Sequence, residues 1–176
     1  MNKRKPLPIF FVLVFLSNAA LFAQEKVSVK EDKQWVSIGN NHADLSFNLD
    51  NGLFYLSNNR GEKVVDNAYF QAGGLQSKDS CEKRTWTVED INDALGTGKA
   101  LTIKIAFKNY ADVLWQVRLY NTKEYFIFNM GINNDTKLPY QLMSFYPVVS
   151  NRVYPGKKNA LNYRILDGNK YPSPAL

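Results

Sequence analysis

The chain has 176 residues and a formal net charge of +6, of which Lys3, Arg4 and Lys5 supply three. The remaining +3 is too dispersed to make an electrostatic case for nucleic acid, and the basic pairs Lys83-Arg84 and Lys157-Lys158 read as solvated turns. A lone cysteine, Cys81, excludes an internal disulfide, so the fold must be held by its core. A domain of about 150 residues can bury roughly 70% of its unfolded surface, and 11 Phe, 10 Tyr and 3 Trp supply large apolar area.

The N-terminus reads as a secretory signal peptide over residues 1–23. A basic cluster at Lys3–Lys5 precedes the apolar run Ile9–Leu16, and small residues follow at Ser17, Ala19, Ala20 and Ala23. Cleavage is expected after Ala23, with Leu21 larger than ideal at the −3 position. The run is shorter than the ~20 residues of a membrane span, so no stable anchor is expected after cleavage. No cysteine near that site offers a lipid attachment. The expected location is outside the cytoplasm, periplasmic or extracellular.

One β-domain is expected over residues 24–169. Leu45, Phe47 and Leu49 alternate with Ser46 and Asn48, Asp50-Asn51-Gly52 tolerates positive φ, and Leu53–Ser57 resumes as a second strand. Asn58–Gly61 then turns the chain into Glu62–Val65. Val88–Leu95 is the one segment with a helical reading, of one or two turns. Leu101–Phe107, Val113–Tyr120 and Tyr125–Ile132 alternate strictly and are joined by short polar loops, as in an antiparallel meander. Gln141–Val149 and Asn162–Leu166 are further expected strands, and residues 170–176 an irregular tail. Many short strands at this spacing predict an all-β, antiparallel β-sandwich.

Chemistry-bearing residues are few. His42, the one histidine, lies in the polar turn Asn40-Asn41-His42, and with Cys81 it is too little for a nucleophilic triad or a zinc site. Gly96-Thr97-Gly98-Lys99 lacks the first glycine of a phosphate loop and has Ala100 where a hydroxyl would meet magnesium, so it reads as a turn before the Leu101 strand. No catalytic residue, metal or cofactor is expected. Asn134-Asp135-Thr136 is a glycosylation sequon only on a eukaryotic secretory route. Paired carboxylates could serve a glycosidase, but Glu89, Asp90, Asp93, Asp112, Glu124 and Asp167 read individually as turn or surface residues. Tryptophans are the other carbohydrate signal, because sugar C–H faces stack on rings. Trp115 shares an apolar face with Val113 and Val117 and belongs to the core, which leaves Trp86 and Trp35 as candidate carbohydrate contacts.

Leu114–Tyr120, Phe126–Asn133 and the run Asn162-Tyr163-Arg164-Ile165-Leu166-Asp167-Gly168-Asn169 carry a resemblance. Together with the Asp50-Asn51-Gly52 hairpin, they resemble the N-terminal region of secreted α-galactosidase-like glycoside hydrolases of the melibiase and raffinose-synthase group. The resemblance spans roughly Val36 to Asn169. It implies a galactose-mutarotase-like supersandwich, here incomplete, that would precede a (β/α)₈ catalytic barrel. Two departures stand out. Lys170 and Tyr171 replace the glycine-rich continuation expected after Asn169, and no position matches the barrel's catalytic carboxylates. The resemblance therefore implies a non-catalytic front domain, truncated before its barrel or frameshifted near Asn169, in an enzyme acting on galactosyl glycans. The alternatives are a free-standing carbohydrate-binding or adhesive sandwich and, third, a small sandwich enzyme using carboxylates in a cleft.

Overall fold

The computed structural model describes residues 26–136 and 144–154. The expected signal peptide, the Asn162–Leu166 strand, the 170–176 tail, and the Asn162–Asn169 part of the resemblance lie outside them. So does the start of the expected Gln141–Val149 strand.

The described residues form strands and turns with no helix. In chain order the strands are β1 (Ser28–Asp32), β2 (Trp35–Gly39), β3 (Ala43–Asn48), β4 (Phe54–Asn58), β5 (Lys63–Ala72) and β6 (Leu75–Gln76). They continue as β7 (Lys83–Asp93), β8 (Gly96–Ala106), β9 (Asp112–Tyr120), β10 (Ile127–Asn133), β11 (Phe145–Val149) and β12 (Arg152–Val153). Every pairing is antiparallel. One sheet runs β1-β2-β3-β4-β5-β11, with β6 and β12 also on β5; the other runs β10-β9-β8-β7.

Period-two alternation makes the two sheets a sandwich. Val36, Ile38, Leu45, Phe47, Phe54 and Phe70 point inward from the larger sheet, each no more than 1% exposed. From the smaller sheet Leu101, Ile103 and Ile105 sit in register with Val117, Trp115 and Val113, all equally buried. Trp115 occupies the middle. Its ring centroid lies 4.8 Å from both Phe54 and Phe70, 5.6 Å from Phe128 and 5.9 Å from Phe47. Its indole N–H donates to the Pro147 carbonyl at 3.1 Å, so the ring also ties β9 to β11. The assignment of Trp115 to the core holds.

The helical expectation over Val88–Leu95 is corrected. Val88–Asp93 is the second half of β7, paired residue by residue with β8 as far as Asp93 opposite Gly96. Ala94 and Leu95 form the turn, with the Asp93 carboxylate accepting from the Leu95 N–H at 2.9 Å. Eleven cross-strand pairs outweigh the weak local preference of one or two helical turns. Gly96–Lys99 is correspondingly the start of β8 rather than a turn ahead of it. β5 runs well past Val65, to Ala72. Its pairing with β4 shifts register between Phe54 and Leu56 and again before Ser57, and Asn67 takes a φ of 50° within the irregular stretch.

The Asp50-Asn51-Gly52 hairpin is present as expected. The Asn48 side-chain oxygen accepts from the Asp50 and Asn51 amides at 2.9 and 3.0 Å, and Gly52 takes a φ of 70°. Glycine is doubly required at position 52, because a Cβ there would also run into the Ser77 carbonyl. Ser77, 1% exposed, donates to the Gly52 carbonyl at 2.6 Å and accepts from the Phe70 amide at 3.1 Å.

Candidate functional site

The two sequence-derived carbohydrate contacts fall on different faces. Trp86 stands opposite Ile103 and points inward from β7, half-buried and packed against the core. Its neighbour on that face, Arg84, is engaged with backbone. The guanidinium donates to the carbonyls of Asp50 and Asp79, each at 2.7 Å, of Ser77 at 2.9 and 3.1 Å, and of Leu49 at 3.3 Å. That arrangement holds the β3–β4 turn against the loop before β7.

Trp35 is on the outer face of the larger sheet. Its neighbour Val36 is fully buried inward, so Trp35 must point the other way. Tyr55, from β4, also faces outward and meets Trp35 edge-on, with centroids 5.4 Å apart and planes at 61°. β2 and β4 flank β3, so the two rings reach toward each other across it. This explains why Ser46 and Asn48, on the outer side of β3, are only 3% and 4% exposed. The Lys63 ammonium stands 4.6 Å from the Tyr55 centroid and pairs with Asp66 at 2.8 Å.

A polar row continues from the aromatic pair. Lys30, Ser37, Ser46 and Tyr55 stand in register across β1, β2, β3 and β4. The Ser37 and Ser46 hydroxyls are 2.8 Å apart, and Ser46 also donates to Asp44 at 3.2 Å. The Asp44 carboxyl lies against Gly39, where a Cβ would collide with it. Of these groups, Lys30, Ser37, Gly39 and Asp44 border an open recess of about 200 Å³ that also includes Lys26, Ser28 and Asn40. Burial pushes the Asp44 carboxyl above its ordinary value of 3.8, with the Ser46 hydrogen bond and the Lys30 charge opposing the rise.

The sign of that shift gives a prediction. Ionising Asp44 is harder in the folded chain than in the unfolded one, so a penalty on stability develops as pH rises above 3.8 and is complete above the raised folded value. Asp44→Asn, which can still accept from Ser46, is expected to raise the melting temperature at neutral pH. That gain should vanish well below pH 3.8. Melting curves of the two proteins across this range check it; equal differences at both ends would refute it.

Three of the other candidate carboxylates have structural partners. Asp90 meets Lys99 at 2.6 Å, Asp112 meets Lys104 at 2.6 Å, and Asp93 accepts from the Tyr120 hydroxyl at 2.7 Å. Asp167 lies outside the described residues. His42 Nδ1 is 3.9 Å from Glu124 at the rim of a second recess, of about 390 Å³, floored by Leu56, Val64 and Phe126. Cys81 is half-buried against the core. Among the described residues, no group of three His, Cys, Asp or Glu side chains could hold a metal ion, and no helix is long and apolar enough to cross a membrane.

No family model, curated protein or solved structure matches the chain. Functional inference therefore rests on the two faces themselves. Sequence reasoning selected Trp35 but missed Tyr55, Ser37 and Ser46, which join it only through strand register. Alternation in Ala43–Asn48 and Phe54–Asn58 was the available signal, since it already set Ser46 and Tyr55 on the face opposite Phe47 and Phe54.

Proposed function

We propose that the chain is a non-catalytic β-sandwich of an exported glycan-processing enzyme of the α-galactosidase-like type, and that its outer Trp35–Tyr55 face contacts the carbohydrate. The aromatic pair beside a row of hydroxyls and a carboxylate carries this reading. Sugars present an apolar C–H face that stacks on rings and hydroxyls that exchange hydrogen bonds with groups such as Ser37 and Asp44. The all-β sandwich agrees with the resemblance of Leu114–Tyr120 and Phe126–Asn133 to that group's N-terminal region. The enzyme's catalytic barrel would be the natural protein partner, and no cofactor enters the proposal.

The same face supports a second reading, a free-standing carbohydrate-binding module. Calorimetric titration with galactosyl oligosaccharides tests what both share. Trp35→Ala is expected to weaken binding about tenfold or more, given roughly 1–2 kcal/mol for a lost stacking contact, while Trp86→Ala leaves it unchanged. Absence of binding by the wild-type protein would reject both readings, and loss on Trp86→Ala alone would move the contact to the other face. Release of nitrophenol from an aryl α-galactoside by the pure chain would overturn the non-catalytic part.

A further inference from the structure

The smaller sheet ends in a strand built to accept another. β7 pairs with β8 along eleven residues without a register shift, and its other edge faces no strand among the described residues. A long exposed edge is a template for pairing, and proteins usually blunt it with proline, a bulge or repelling charge. Lys83–Asp93 contains neither proline nor glycine and has no bulge. Val88 is 41% exposed, and Thr87, Glu89 and Asp90 are exposed beside it.

Its charges are sorted by end. Lys83 and Arg84 open the strand, whereas Glu89, Asp90 and Asp93 close it. A parallel neighbour of the same sequence would set like charges together; an antiparallel one sets opposite charges together. Several of these groups are already satisfied within the chain: Arg84 by backbone carbonyls, Asp90 by Lys99 and Asp93 by Tyr120. Lys83 and Glu89 have no side-chain partner among the described residues and are the β7 charges open to a neighbour. Both point to the outer face, opposite Ala106 and Ala100.

We infer that β7 pairs antiparallel with β7 of a second copy of this chain, forming a symmetric dimer with one continuous eight-stranded sheet. Centred on Trp86, the pairing places Lys83 of each copy opposite Glu89 of the other and Thr85 opposite Thr87. On the inner face it brings the two Trp86 rings together and covers Val88. Such a two-fold contact uses the same patch on both molecules and closes on itself.

A charge swap tests this. Sedimentation equilibrium of the purified protein is expected to give twice the chain mass, dissociating on dilution. Glu89→Lys places lysine opposite lysine at two symmetric positions and should weaken dimerisation by about tenfold or more. Lys83→Glu should do the same, and the double variant K83E/E89K should restore the dimer, which also shows that the exposed substitutions leave the fold intact. A monomer at every concentration overturns the inference. So does a dimer indifferent to both single reversals, or an assembly larger than two.

Discussion

Trp115→Ala is expected to destabilise the fold by about 4 kcal/mol, lowering the melting temperature by roughly 10 °C or more. The ring is fully buried and touches four phenylalanines, three from the larger sheet and Phe128 from β10. Deleting it opens a cavity where the sheets meet, and close-packed neighbours on rigid strands collapse into such a void only partly. The Pro147 carbonyl also loses its indole donor. Trp115→Phe keeps most of the volume and should cost less than half as much. Denaturant melts of the two variants provide the comparison, and a Trp115→Ala loss below about 1 kcal/mol would contradict the packing account.

Arg84→Met is expected to cost about 3 kcal/mol, although Arg84 is only half-buried. Methionine preserves much of the stem but leaves the carbonyls of Leu49, Asp50, Ser77 and Asp79 without their shared donor. Those carbonyls fix the turn that holds Gly52 against Ser77. Arg84→Lys should recover little, because one ammonium cannot reproduce a planar fork directed at four acceptors. Chemical denaturation measures both; full stability in Arg84→Lys would show that charge alone suffices.

The sequence carried the sandwich wherever alternation was strict and the inner face fully buried, as in Leu45–Phe47, Leu101–Ile105 and Val113–Leu119. β1 and β7 were harder to read because they are edge strands. With one side open, Lys30, Glu31, Glu89 and Asp90 interrupt the apolar pattern without cost to the core. Val88–Asp93 therefore suggested a helix by local composition, and only pairing with β8 makes it a strand. Trp35 was legible as an aromatic outside the clear core pattern. Its joining to Tyr55 across β3 was not, because it depends on the register of three strands. The Arg84 arrangement was equally hidden: its partners at Leu49 and Asp50 lie 35 and 34 residues away. No local pattern encodes which carbonyls a guanidinium will meet.

The three tryptophans make the carbohydrate proposal directly measurable, since each reports a different environment. Trp35 is on the outer face, Trp86 at the sheet edge and Trp115 in the core. Titrating galactosyl oligosaccharide into the isotope-labelled protein while following the three indole N–H resonances should shift Trp35 progressively and leave Trp115 in place. Shifts confined to Trp86, or no movement of any indole at saturating sugar, would contradict an outer-face carbohydrate site.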